Sequence, residues 1–155
     1  MSAACTGLCL VEPAAFGFNA QTATTNRFQQ ATPGLDAATV AATAREEFAA
    51  LAGALRSAGI PLSITADTLH PPKPDAVFPN NWVSFHADGT VVLYPMHDPV
   101  RRAERRETVI QQVKQQLEFT ERRRLDLSFE ENHGRFLEGT GSLVLDHRQR
   151  IAFAC

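Results

Sequence analysis

From Asp36 to Gly59 apolar residues return at helical spacing. Val40, Ala44, Phe48, Leu51 and Leu55 fall four, four, three and four positions apart, which sets them on one face. Asp36 is placed to cap the start by accepting a backbone N–H, and Gly59 followed by Ile60-Pro61 stops the helix. Short apolar runs lie on either side, LCLV before and PLSIT after. A helix with one apolar face between two such strands has to lay that face on something flat, so the chain reads as α/β.

The alternation continues. A second helix is predicted roughly from Arg101 to Leu117, with Ala103, Ile110, Val113 and Leu117 inward, and RLDLSF follows it as a strand. WVSFH and TVVLY flank ADG, where Asp88-Gly89 can take the positive φ angles of a tight hairpin, and GSLVLD and RIAFA flank HRQ in a similar way. Residues 66–74, ADTLHPPKP, form a proline-rich connector unsuited to a sheet interior. Laid end to end, the segments suggest a repeated unit of polar-studded strand, hairpin, helix and return strand, with Phe78 and Phe136 at matching places. The first unit carries the loop FGFNAQTATTNRFQ in place of a hairpin, and the third stops after RIAFAC, so the repeat architecture is expected to be incomplete.

A chain of 155 residues, 44% hydrophobic and 21% charged, suits one globular domain. Its net charge of −2 supplies no global field for nucleic acid or anionic lipid, so neither is expected as a partner. The opening MSAACTGLCLVEPAAFGFNA has no basic start and is broken by Glu12 and Pro13 well short of a membrane span, which reads as no signal peptide and a cytoplasmic chain. Cys5, Cys9 and Cys155 form an odd set suited to reduced thiols, and no histidine stands near the first two to complete a zinc site.

Four stretches carry chemistry. In KPDAVFPNNWVSF, Asp75, Asn80 and Asn81 interrupt an apolar run that reads as a strand. Buried short polar side chains cost roughly 1–3 kcal/mol each when unsatisfied, so they either cap the kink made by Pro79 or converge on a polar ligand. In FLEGTGSLVLD, Glu138 precedes Gly139 and Gly141, where backbone freedom allows close approach; the alternative is a plain turn. A dinucleotide fingerprint is excluded by Val144, where a glycine would be required. In YPMHDPVRRAERRE, Arg101, Arg102, Arg105 and Arg106 crowd the first turns of a helix, where the macrodipole disfavours cations. Interleaved Glu104 and Glu107 make most of them a solvated face, and one arginine is shaped to clamp a carboxylate. In AAFGFNAQTATTNRFQ, Asn19, Gln21, Thr22, Asn26 and Gln29 alternate with Phe16, Phe18 and Phe28, a pattern of either a binding loop or aromatic packing.

Together these stretches resemble the amidinotransferase-like, guanidino-group-modifying superfamily, in order and spacing and over nearly all of the chain. The nearest resemblance is to its citrulline-utilisation hydrolase branch. The resemblance implies a pentein, an α/β propeller of five ββαβ units, of which residues 1–155 would be the N-terminal part of a single domain with about two and a half units. It implies hydrolysis of a non-peptide C–N bond in the ureido or guanidino group of citrulline or arginine through a cysteine thiolate, a histidine and orienting carboxylates, without metal or organic cofactor. Glu138 takes the acidic catalytic position. Asp75 holds substrate nitrogens, Arg101 or Arg102 grips the α-carboxylate, and Phe78 and Asn19 complete the binding set. Where relatives taking charged substrates carry acids, this chain has Asn80 and Asn81, which implies preference for a neutral ureido group.

The family's histidine and cysteine are expected beyond the Glu138 segment, and none of the three cysteines matches. His133 precedes Glu138 and reads as a surface residue. The chain is therefore expected to be inactive alone. The alternative is a non-catalytic binding or interaction module, paired through exposed strand edges with a copy of itself or with a separately encoded complement.

Overall fold

The computed structural model describes residues 5–24, 34, 36–146 and 148–154. Strand β1 (Leu8–Glu12) pairs in parallel with β2 (Leu62–Ala66), register Leu8 to Leu62 through Glu12 to Ala66, and helix α1 (Ala37–Ser57) makes the crossover that parallel pairing demands. Asp36 caps α1 as expected, its Oδ1 accepting from Thr39 N at 2.8 Å, and Gly59 ends it at φ +74°.

Strands β3 (Val83–Phe85) and β4 (Thr90–Leu93) form the antiparallel hairpin around Asp88-Gly89, with Gly89 at φ +83°. After the short helix α2 (Pro99–Arg102) and helix α3 (Glu107–Gln116), strand β5 (Arg123–Asp126) returns parallel to β4. The one-turn helix α4 (Gly139–Ser142) leads into the hairpin of β6 (Leu143–Asp146) and β7 (Ile151–Ala154). The three sheets of the described residues are small and open. No described helix is long and apolar enough to cross a membrane.

One apolar core joins these pieces. Val11 of β1, Trp82, Val83 of β3, Val91 of β4, Met96, and Val109 and Ile110 of α3 are all buried in a single cluster. Helix α3 packs more extensively on β2 than α1 does. That difference corrects the expectation for α1: of its apolar stripe Leu51 is 52% exposed, and only Ala52 is buried on the whole helix. A two-stranded sheet is too narrow to cover a stripe of that width.

Three further expectations change. The segment 75–82 is not a strand but a turn running into a 3-10 turn at Pro79–Asn81, closed by Asn81 N to Phe78 O and Trp82 N to Pro79 O. Pro79, which donates no N–H, breaks the ladder there. The single helix over 101–117 is instead α2 and α3, with Ala103 exposed between them and Arg106, in extended conformation, preceding α3. Nor do the arginines form a solvated face. Arg101 is buried, Arg102 and Arg105 pair with Glu131, and Arg106 pairs with Asp67. Asp67 also meets buried Lys73 at 3.3 Å, and Lys73 Nζ donates to Thr68 O, Thr68 Oγ1 and Pro71 O. The proline-rich connector is thereby fastened to the start of α3, two residues before Asp75.

Candidate functional site

The turn that replaces the expected strand delivers Asp75 to the interior. Its backbone carbonyl accepts from Phe78 N, and Trp82, 1% exposed, anchors the far end in the core. Asp75 Oδ2 accepts from Asn19 Nδ2 at 2.7 Å and from Thr22 Oγ1 at 3.4 Å. Asn19 is itself oriented, because its Oδ1 accepts from Gln21 N at 3.1 Å. The loop after β1 and the 75–82 turn are thus joined by one buried and one partly buried hydrogen bond. The loop residues Asn26, Phe28 and Gln29 lie outside the described residues.

Arg101 enters from α2. Its Nε and one terminal nitrogen meet both oxygens of Glu104 at 3.0 and 3.1 Å, its other terminal nitrogen reaches Glu138 Oε2 at 3.4 Å, and Nε stands 3.8 Å from Asp75 Oδ2. Burial opposes its charge, but the Glu104 hydrogen bonds and the fields of Glu104, Asp75 and Glu138 outweigh it and hold the guanidinium ionised, above the usual arginine value. Glu104 is also raised, which in a carboxyl favours the neutral form. Burial, helped by Asp75 and Glu138, pushes its carboxyl up to about 7 against the attraction of Arg101. Three acids and one base share a largely dry cluster, so one acid retains its proton most readily.

Glu138 is set by the 95–97 segment. His97 N donates to its Oε1 at 3.1 Å, Leu137 N donates to Pro95 O, and the rings of His97 and Phe136 meet edge to face at 4.8 Å. Behind it the two glycines fulfil the expected close approach. A Cβ on Gly139, at φ +40°, would stand 2.2 Å from Asn80 O, and one on Gly141 would stand 2.9 Å from Asn81 Oδ1.

A cavity of about 520 Å³ opens between these segments, lined by Gln21, Thr22, Asn81, His97, Arg101 and Glu138 with Asp98, Phe136, Gly141 and Ser142. Asp75 lies immediately behind Thr22 and Arg101 rather than on the wall. Asn80 is exposed and off the wall. It donates from Nδ2 to Asn81 Oδ1 and to Thr140 Oγ1, both at 3.0 Å, and neither asparagine caps the 3-10 turn. With its oxygen engaged, Asn81 presents an NH2 group that donates to no other described residue.

Phe78 is 47% exposed and does not line the cavity. Arg102 turns away to Met96 O, His97 O and Glu131, its guanidinium 5.9 Å from the centre of the Phe136 ring. Sequence reasoning passed over Glu104 and His97. The three-residue spacing of Arg101 and Glu104 on one helical turn is the signal that could have found the first. Cys9 packs against the core, where burial pushes its thiol up to about 11, and Cys5 is exposed; neither lines the cavity. Cys155 lies outside the described residues. His133 is exposed beside Glu130, as a surface residue should be.

A family sequence model described as "N,N dimethylarginine dimethylhydrolase, eukaryotic" matches residues 12–155. No curated protein and no solved structure matches.

Proposed function

The chain belongs to the N,N dimethylarginine dimethylhydrolase family, a guanidino-group hydrolase family of the pentein superfamily, and from that premise we propose that its cavity takes the planar end of an arginine-derived amino acid, with the neutral ureido group of citrulline preferred. The observation that carries this reading is the polarity of Asn81. Asn80 occupies its oxygen, so the NH2 group is what it offers on the cavity wall. An NH2 donor suits a carbonyl oxygen and gives nothing to a cationic guanidinium, which is all donors. Glu138, on the same wall, accepts from the nitrogens that both groups carry.

In this reading Glu138 and Asn81 meet the ligand, and Asp75 acts through Arg101 and Thr22. The reaction is hydrolysis of a terminal C–N bond, with the thiolate nucleophile supplied from outside the described residues. In the same reading β3, β4, α3 and β5 make one ββαβ unit of a pentein. Calorimetric titration of the chain with citrulline, arginine and an Nω-methylated arginine tests the proposal. Citrulline should bind tightest, and tighter binding of arginine defeats the ureido preference.

A second reading, a non-catalytic module that pairs with its own copies, draws on β7, whose four residues are all exposed and include Phe153 at 59%. Size-exclusion chromatography separates the two: a monomer that binds citrulline favours the first, and a dimer that binds no amino acid favours the second.

A further inference from the structure

Arg101 has more anionic neighbours than helix stability requires. Glu104 engages it twice, Glu138 once at 3.4 Å, and Asp75 stands 3.8 Å away, so carboxylates from three separate segments surround one guanidinium whose side chain is 6% exposed. Each of its three nitrogens faces a protein carboxylate. None is left aimed solely at the carboxylate of a ligand.

We infer that Arg101, fixed in place by Glu104, is the internal counter-cation of the cavity and shifts its preference away from a cationic and toward a neutral ligand head group. The inference rests on the proposed reading of the cavity as a site for ureido or guanidino groups. With Arg101 present, Asp75 and Glu138 are already partly neutralised before any ligand arrives. A second guanidinium placed against Glu138 would stand close to Arg101, whose like charge offsets part of the attraction of the surrounding carboxylates. A ureido group brings no charge and meets no such repulsion. Glu104 is then a positioning residue, since its bidentate grip keeps Arg101 from following an incoming ligand.

The competing role for Arg101, a clamp on the ligand's α-carboxylate, makes a different prediction. Citrulline and arginine carry the same α-carboxylate, so loss of a clamp weakens both alike. Loss of a counter-cation changes their ratio.

The experiment titrates the full chain, wild type and the variants Arg101→Met and Glu104→Gln, with citrulline and with arginine. Arg101→Met should raise arginine affinity relative to citrulline by about tenfold or more. With the titrations run at pH 8, where the Glu104 carboxyl is ionised, Glu104→Gln removes a negative charge and keeps the cation, and should move the ratio in the opposite direction. A fall of both affinities together in Arg101→Met, or an unmoved ratio in Glu104→Gln, overturns the inference. If circular dichroism shows that Arg101→Met does not fold, the Glu104→Gln ratio decides alone. A wild-type chain that binds neither amino acid overturns the reading of the cavity and this inference with it, whereas binding with an unmoved ratio overturns the inference only.

Discussion

The side-chain amide of Asn19 donates to Asp75 Oδ2 at 2.7 Å across 56 residues of sequence, with both side chains buried. This bond orients the carboxylate behind the cavity wall, and the Gln21 N–H on the other side of the amide fixes which end of Asn19 faces it. Asn19→Ala should therefore cost about 1–2 kcal/mol of stability, the penalty for a buried acceptor deprived of a donor. Asn19→Asp, which sets two carboxylates against each other, should cost more. Chemical denaturation of the three proteins checks the order, and an Asn19→Ala variant as stable as wild type would contradict it.

Gly139 and Gly141 predict an asymmetry. At Gly139 a methyl group would meet the backbone oxygen of Asn80, and the backbone is left-handed, so nothing nearby can yield cheaply. At Gly141 the obstacle is the side chain of Asn81, which can move. Gly139→Ala should lose on the order of 2–4 kcal/mol. Gly141→Ala should lose much less stability while weakening citrulline binding, because it displaces Asn81. Thermal denaturation paired with titration distinguishes the two, and equal stability losses would defeat the argument.

Glu104 gives a pH dependence whose sign can be worked out. Its folded carboxyl is raised from 4.5 to about 7, first by burial and then by Asp75 and Glu138, against the pull of Arg101. Between those values the folded state holds a proton that the unfolded chain has released, so stability falls as pH rises through this window. The contribution is fully present below about pH 4.5 and is lost by the alkaline side of 7, amounting to at most about 3–4 kcal/mol. Glu104→Gln cannot titrate. Urea denaturation midpoints between pH 5 and 8 should decline more steeply for wild type than for Glu104→Gln, and parallel profiles would refute the assignment.

The sequence showed the local features and missed those that depend on distant partners. Helix α1, with its Asp36 cap and Gly59 stop, and the Asp88-Gly89 hairpin follow from interactions within a few residues, which is why they could be read directly. The break between α2 and α3 could not. It turns Arg101 and Glu104 inward toward Asp75 and Glu138, and spacing within the arginine-rich run says nothing of carboxylates 26 and 37 residues away (101 − 75 and 138 − 101). The stretch 75–82 misled for a similar reason: Val77, Phe78 and Trp82 look like strand residues, yet Trp82 anchors a turn in the core. Of the site residues named from sequence, Arg101, Glu138 and Asn81 reach the cavity wall, with Asn19 and Asp75 directly behind it. Phe78 and Arg102 face elsewhere because their side chains find other company or solvent.

Asn81 offers the most direct chemical test of ligand choice. Its NH2 group is a donor only because Asn80, steadied by Thr140 Oγ1, takes its oxygen. Asn81→Asp replaces that donor with an anionic acceptor of nearly the same shape. A ureido oxygen would then meet a carboxylate, while a guanidinium would gain a charge-assisted partner worth roughly 1.5–3 kcal/mol. The variant should bind citrulline at least about tenfold more weakly and arginine more tightly, since each 1.4 kcal/mol is a tenfold change. Asn80→Ala should act in the same direction but less strongly, because it leaves the Asn81 amide free to flip and show its oxygen. Calorimetry with both amino acids measures each effect. Unchanged citrulline affinity in Asn81→Asp would mean that this side chain does not touch the ligand's head group, and the ureido preference would lose its physical basis.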